Sequence, residues 1–264
     1  MRKQVSMSEN VSVGTLARGL DVLELFGAAR PELSQKEISE ALSLPMPTVH
    51  RLTALLTERG WLDRDPATRR LRLGLELARI VPALLAGLRL PELARPHLMA
   101  LTASVQETVN VAILQGDEVV YLLSESGDRL LTSQASVGMR LPAHCTALGK
   151  CLLAQLPVEA AQAALGPEPY RPLTEHTRTS WDALAADLQT IRRTGVAVSD
   201  EEYEIGLVSV AVPVRWIDGP GTGAINVSLP AGRATLDFRE ELTRRLLEAS
   251  DAINREMTVP SGHA

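Results

Sequence analysis

Thr48, His50 and Arg51 open the stretch LPMPTVHRLTALLTERGWL, where polar side chains gather at the front and Val49, Leu52, Leu55 and Leu56 recur at helical spacing behind them. A helix of that kind can enter a DNA major groove end-on, since its first turn is free to read while its apolar stripe stays in a core. Thr48 and His50 can donate or accept at base edges, and Arg51 can bridge a guanine or hold a phosphate. Arg64, Arg69 and Arg70 lie in the turn-rich tip DRDPATRR, where they would follow the neighbouring phosphates. Ser34 and Gln35 start a preceding short helix and would present amide N–H groups to a phosphate. Arg18, on a still earlier helix, and Met46, just ahead of Pro47, complete the expected DNA-facing set. Any one of these residues is more often a solvated face; the combination is far more specific.

A second constellation runs from Ala143 to Lys150. A helix beginning near Cys145 leaves its first N–H groups without intrahelical partners, and these donors can receive a carboxylate. Thr146 adds a hydroxyl, and the helix dipole favours an anion by roughly 0.3 to 1 kcal/mol. His144 beside Cys145 is not a catalytic pair, because adjacent residues on a helix diverge. Cys145 and Cys151 have neither disulfide geometry nor a CxxC spacing and are expected to be buried small hydrophobes. The acidic run Asp200, Glu201, Glu202 and Glu204 is expected to be solvated, with no converging His cluster to suggest a metal site. No Gly-rich phosphate loop, triad or cofactor motif is present, so neither a catalytic residue nor a cofactor is expected.

The elements that must position these groups follow from periodicity. The first dozen residues lack it and read as a disordered tail. Leu16, Leu20, Leu23 and Phe26 predict a helix over 14–28, and Ser34 with Glu37 forms a capping box before Ile38, Ala41 and Leu42. The turn Ser43-Leu44-Pro45-Met46 separates that helix from one opened by Pro47 and closed at Gly60. Trp61 and Leu62 lead into the Arg-rich tip and Leu71 and Leu73 lead out, a small hairpin or wing. Residues 74–90 are apolar on nearly every side, a linker helix expected to be buried between chains and bent at Pro82. Pro91 starts a helix to about Glu107. Strands follow at Val109–Leu114 and Glu118–Ser124, about the turn Gln115-Gly116-Asp117. Then come a helix at Cys145–Leu156, a helix at Ser180–Thr194, strands at Gly195–Ser199, Leu207–Val214 and Gly223–Ser228, and a last helix at Thr235–Met257. The expected organisation is therefore a winged helix-turn-helix domain over 14–73, the linker over 74–90, and an α+β domain with a mostly antiparallel sheet over 91–258.

Composition agrees with two soluble domains. Among 264 residues, 45% are hydrophobic and 22% charged, with no run long enough to span a bilayer and no signal-peptide pattern at the start, so a cytoplasmic protein is expected. The net charge of -5 argues at first against DNA. Its distribution reverses that: residues 1–80 carry 12 basic and 10 acidic side chains, the rest 15 basic and 22 acidic. Opposite signs suit different partners.

The order of a winged domain, an apolar linker and an α+β domain resembles the IclR family of bacterial transcriptional regulators. VGTLARGLDVLELF and LPMPTVHRLTALLTERGWL look like its first and recognition helices, while VGMRLPAHCTALGKCLLA, DEEYEIGLVSVAVPVR and GAINVSLP are similar to its effector-domain signatures. The resemblance implies a GAF-like effector domain, dimers and often dimers of dimers, double-stranded operator DNA as partner, and a small carboxylic acid, aromatic or keto, as effector. RLPA, GLVSVAVPVR and AINVS look more like the branch regulating protocatechuate and 4-hydroxybenzoate catabolism, whereas HCTALGK departs from it. By position the family's pocket carries over to Leu141, Ala147 and Leu148, to Ser199 and Ser209, and to Asn226 and Ser228. Alternation supports the last pair: two apart on a strand, they share a face, with Ile225 and Val227 on the other. An enzyme acting on the same acid, or an oligomeric scaffold, is the competing reading; the first lacks catalytic groups and the second leaves the Arg-tipped wing unexplained.

Overall fold

The computed structural model describes residues 7–27, 30–80, 89–127, 135–216 and 221–258, and the chain divides into two compact units, 1–87 and 88–264. In the first unit, helix α1 spans Met7–Glu24, α2 Gln35–Leu42 and α3 Met46–Glu58. Strands β1 (Glu32–Leu33), β2 (Leu62–Arg64) and β3 (Leu71–Leu73) form a small antiparallel sheet in the order β1-β3-β2. The wing thus has a third strand that periodicity could not show, because two residues carry no period. Val22, Phe26, Leu33, Ile38, Val49, Leu52, Leu62 and Leu71 form the core.

Several local expectations need correction. The helix expected over 14–28 begins at Met7 and stops at Glu24, because nothing between Met7 and Val13 breaks a helix, so the disordered tail does not extend to residue 12. Residues 1–6 lie outside the described residues. Leu16 and Leu20, expected in the buried stripe, are 67% and 51% exposed; Leu55 on α3 is also exposed. The core meets the face of α1 that carries Val22 and Phe26. The capping box forms as expected, with Ser34 Oγ accepting from Glu37 N and Glu37 Oε2 accepting from Ser34 N. Ser43 ends α2 in the left-handed region at φ 51°, which makes the tight turn between α2 and α3. After the wing the chain is helical at 76–80. The expected bend at Pro82 falls on residues 81–88, outside the described residues.

In the second unit, α4 spans Arg89–Val105, so it starts two residues before Pro91, which sits in its first turn. Strands β4 (Thr108–Gln115), β5 (Glu118–Glu125), β6 (Arg140–Pro142), β7 (Ala197–Asp200), β8 (Leu207–Trp216) and β9 (Gly221–Pro230) form one antiparallel sheet in the order β6-β5-β4-β9-β8-β7. Helices α5 (Ala147–Ala154), α6 (Val158–Leu165), α7 (Trp181–Thr194) and α8 (Leu236–Met257) complete it. The α+β class and the antiparallel sheet are as expected; β6 and α6 were not foreseen.

Strand alternation divides this unit into two cores. Val208, Val210, Val212 and Val214 of β8, with Ile225, Val227 and Leu229 of β9, pack against α4 and α8. Ala211 and Ala224 face the other way, toward Leu148, Leu152 and Leu153 of α5 and Leu184, Leu188 and Ile191 of α7. Each fully buried Leu or Ile of these stripes contributes about 1.5 to 3 kcal/mol. On β5 the alternation breaks: Val111 pairs with Leu123 but Ala112 pairs with Tyr121, leaving Leu122 as a bulge. Leu123 consequently joins the first core, and Tyr121 the second.

Candidate functional site

The residues expected to face DNA sort into free and committed groups. α3 opens at N-cap Pro45 with Pro47 in its first turn, and buries Val49, Leu52 and Thr53. Met46, His50 and Arg51 are exposed and Thr48 is half-buried. Arg18 on α1 and Arg69 at the wing tip are exposed as well, Arg64 half-buried. Arg69 has φ 61°, which turns the chain at the tip. Among the described residues none of Arg18, Arg51, Arg64 and Arg69 has an ion-pair partner.

Two expected contacts are committed elsewhere, and so is the side chain of Gln35, though not, among the described residues, its backbone N–H. Arg70 donates through Nη2 to Glu37 Oε2 at 2.9 Å, to Glu37 Oε1 at 3.1 Å and to the Glu32 carbonyl at 3.1 Å, so it fastens the wing to the start of α2. The N–H of Ser34 donates to Glu37 Oε2 at 2.6 Å and has no place for a phosphate beside that carboxylate. The Gln35 side chain donates through Nε2 to Thr53 Oγ1 at 2.7 Å, bracing α2 against α3. Sequence reasoning missed this commitment because Glu37 was seen only as a capping residue.

In the second unit a cavity of about 470 Å³ opens at the start of α5. Leu141, Thr146, Ala147, Ser199, Ser209, Asn226 and Ser228 all line it. Leu148 does not: its side chain is fully buried in the core behind α5. A 3-10 turn at Ala143–Cys145 precedes α5, so the helix begins at Ala147 rather than Cys145. Thr146 is the N-cap; its Oγ1 accepts from Gly149 N at 3.2 Å and donates to the Pro142 carbonyl at 3.0 Å. That hydroxyl is therefore a cap, not a free ligand donor, and the amides of Ala147 and Leu148 are the first-turn donors without an intrahelical partner. Gly149 is required here, since a Cβ would lie 2.2 Å from the Ala143 carbonyl oxygen.

The polar groups on the sheet side bond to one another. Ser209 Oγ and Ser228 Oγ are 2.9 Å apart, Asn226 Nδ2 donates to Ser228 Oγ at 2.9 Å, and Ser199 Oγ donates to the Cys145 carbonyl at 2.9 Å. Tyr121, Met139, Tyr203 and Leu207 add apolar and aromatic lining that sequence reasoning did not find. The bulge on β5 hides Tyr121 from a strict period of two, and Tyr203 lies in the loop after β7. Burial pushes the Tyr121 hydroxyl above its ordinary value, so it stays protonated near neutrality.

Around the cavity, burial pushes the Cys145 thiol up to about 12, which keeps it an unreactive thiol. His144 has its pKa lowered by burial, and its Nε2 lies 3.0 Å from the Arg171 carbonyl oxygen, away from any nucleophile. Glu202, expected to be solvated, is buried: Lys150 Nζ of α5 donates to its Oε1 at 2.5 Å and to Asp187 Oδ2 at 3.2 Å. Burial raises the Glu202 pKa, with Lys150 opposing the shift. The partner lies 52 positions away in sequence, so an acidic run alone could not reveal the pair.

Comparison with known proteins gives this arrangement its context. The chain is 33% identical over 247 residues to the Pca regulon regulatory protein of Pseudomonas putida, covering 92% of this chain and 82% of that protein. It is 30% identical to the p-hydroxybenzoate hydroxylase transcriptional activator of Acinetobacter baylyi, covering 81% and 80% respectively. An IclR homologue from Microbacterium hydrocarbonoxydans, crystallised in complex with 4-hydroxybenzoate, superposes with a TM-score of 0.79 at 28% identity over 92% of this chain and 98% of that one. Residues 15–66 match the IclR helix-turn-helix domain, and residues 83–255 match the C-terminal domain of the IclR bacterial transcriptional regulators. The relatives are regulators rather than enzymes, and with both of the family's domains in order, the chain belongs to the IclR family of DNA-binding transcriptional regulators.

Proposed function

We propose that the chain controls a catabolic operon in response to a small carboxylic acid, aromatic or keto, held in the cavity at the start of α5. The carrying observation is that this cavity brings the start of α5 at Ala147, a polar sheet wall and an aromatic lining to one place. Its volume lies within the usual range for small-molecule sites. A carboxylate would take the Ala147 and Leu148 amides, assisted by the dipole of α5. A ring would lie among Tyr121, Met139, Leu141 and Tyr203, and its polar substituent would meet Ser209, Asn226 and Ser228. The names of the relatives favour an aromatic acid.

On the DNA side, Thr48, His50 and Arg51 read base edges while Arg18, Arg64 and Arg69 hold phosphates. The cytoplasm is the compartment this role requires. The operator is an imperfect palindrome read by two recognition helices about one helical turn apart, by a homodimer or a dimer of dimers. The domain limits 14–73 and 91–258, with a linker over 74–90, belong to the same reading.

Calorimetry with benzoate, 4-hydroxybenzoate, protocatechuate and pyruvate tests the pocket, alongside a gel-shift assay with the flanking intergenic DNA. Asn226→Leu keeps approximate volume but deletes the polar group, so it is expected to abolish acid binding while DNA binding survives. If an acid binds the parent and the variant equally, the effector site is elsewhere.

A further inference from the structure

The polar wall of the cavity continues into the sheet beyond the residues that line it. Asn110 on β4 stands directly opposite Asn226 on β9, is 1% exposed, and does not line the cavity. Its Nδ2 donates to Asn226 Oδ1 at 2.9 Å; Asn226 Nδ2 donates to Ser228 Oγ at 2.9 Å; and Ser228 bonds to its register partner Ser209 at 2.9 Å. Four buried polar side chains from β4, β9 and β8 are thus joined end to end. In such surroundings each bond polarises the next.

The chain has a direction. Asn110 engages the oxygen of Asn226, and this commits the Asn226 amino group to Ser228. Ser228 Oγ therefore accepts. The two serine hydroxyls hold two protons, of which the bond between them uses one. The other, together with the second Nδ2 hydrogen of Asn226, makes no hydrogen bond among the described residues, and the buried Asn110 Oδ1 accepts none. A hydroxyl that already accepts is the better donor.

We propose that Asn110 is a specificity-determining positioning residue: by fixing the direction of this chain it makes the polar wall a hydrogen-bond donor, so the effector is an acid carrying a second acceptor, such as a keto, formyl or further carboxylate oxygen. This rests on the carboxylic-acid reading above. Asn110 acts through Asn226 and touches no ligand itself.

The probes 4-formylbenzoate and 4-aminobenzoate differ in one polar group, an acceptor in the first and chiefly a donor in the second. Calorimetry is expected to show the parent protein binding the formyl compound about tenfold more tightly, the worth of one bond to a buried donor. Asn110→Leu frees Asn226 to turn its oxygen toward Ser228, and the ratio is expected to fall to about twofold or less. A purely structural role would weaken both probes alike and leave the ratio standing; that result, or a parent that prefers the amino compound, overturns the proposal. NMR exchange of the side-chain amides in the ligand-free protein decides it without a ligand and without the variant. One slowly exchanging Hδ2 on Asn110 and one on Asn226 uphold the chain, and rapid exchange of both on either residue overturns it. If benzoate and both probes fail to bind the parent, the carboxylic-acid reading falls, and the exchange result still upholds or overturns the directional chain.

Discussion

Glu37 uses both carboxylate oxygens inside the N-terminal unit, accepting from Ser34 N and from the Arg70 guanidinium. The bonds from Ser34, and after them Arg70, hold its pKa down at about 2. In the unfolded chain a glutamate titrates near ~4.3. A depressed folded value means that the ionised form is the one folding favours, so this contribution is complete above the unfolded pKa and is lost as pH falls through about 2. Thermal unfolding followed between those limits is expected to show the parent losing stability more steeply than Glu37→Gln, which keeps an acceptor for Ser34 but has no proton to gain. Parallel curves would mean that the carboxylate is as well placed in the unfolded chain. At the same scale, Arg70 passes from a presumed phosphate contact to a brace, a change of role that no inspection of DPATRR could supply.

At the scale of elements, the wing has two kinds of arginine, and salt titration separates them. Arg69→Ala is expected to lower the slope of log K against log salt for operator binding by about 0.9, the share of one phosphate contact. Arg70→Ala is expected to weaken binding to all sequences while leaving that slope nearly unchanged, because it loosens the wing from α2. Equal slope changes in the two variants would return Arg70 to the interface. Elements with long, regular patterns were legible in the sequence: α3 and α7, the two hydrophobic strands β8 and β9, and the capping box at Ser34. The alternation of Asn226 and Ser228 against Ile225 and Val227 was legible for the same reason, since a ten-residue strand repeats its period several times. What was not legible is short or depends on distant partners. β1 and β6 are two and three residues long, the 3-10 turn at Ala143–Cys145 depends on the close approach at Gly149, and Lys150 finds Glu202 only through the fold.

For the whole molecule, the informative surface is apolar. In the N-terminal unit Leu16, Leu20, Leu75 and Ile80 are exposed, Leu75 by 88%. Large apolar side chains left in water on one small unit point to a covering partner, and a second copy would satisfy the two-fold symmetry of the palindromic operator proposed above. Leu16→Glu combined with Leu20→Glu is expected to give monomers in sedimentation at micromolar concentration and to weaken operator binding, because the two half-sites are then no longer read together. A parent protein that is itself monomeric under those conditions would defeat the dimer reading. Effector control has its own energetic requirement: a hundredfold change in operator affinity needs about 2.7 kcal/mol of difference in ligand binding between the two states. No helix among the described residues is long and apolar enough to cross a membrane.

The bulge at Leu122 gives β5 one residue more than its partner β4 needs. On either side of it β5 keeps strict alternation, but the two halves are out of phase, so Tyr121 faces the cavity while Leu123 faces α4 and α8. A point mutation at Leu122 changes one half-buried side chain. Loss of its single codon would make Tyr121 and Leu123 neighbours, which regular alternation already puts on opposite faces, so both would keep their sides and only the bulge would go. Lineages of this protein should therefore tolerate many spellings at position 122, and even its loss, better than a one-residue change of length elsewhere in β5, which would exchange the faces of the residues beyond it.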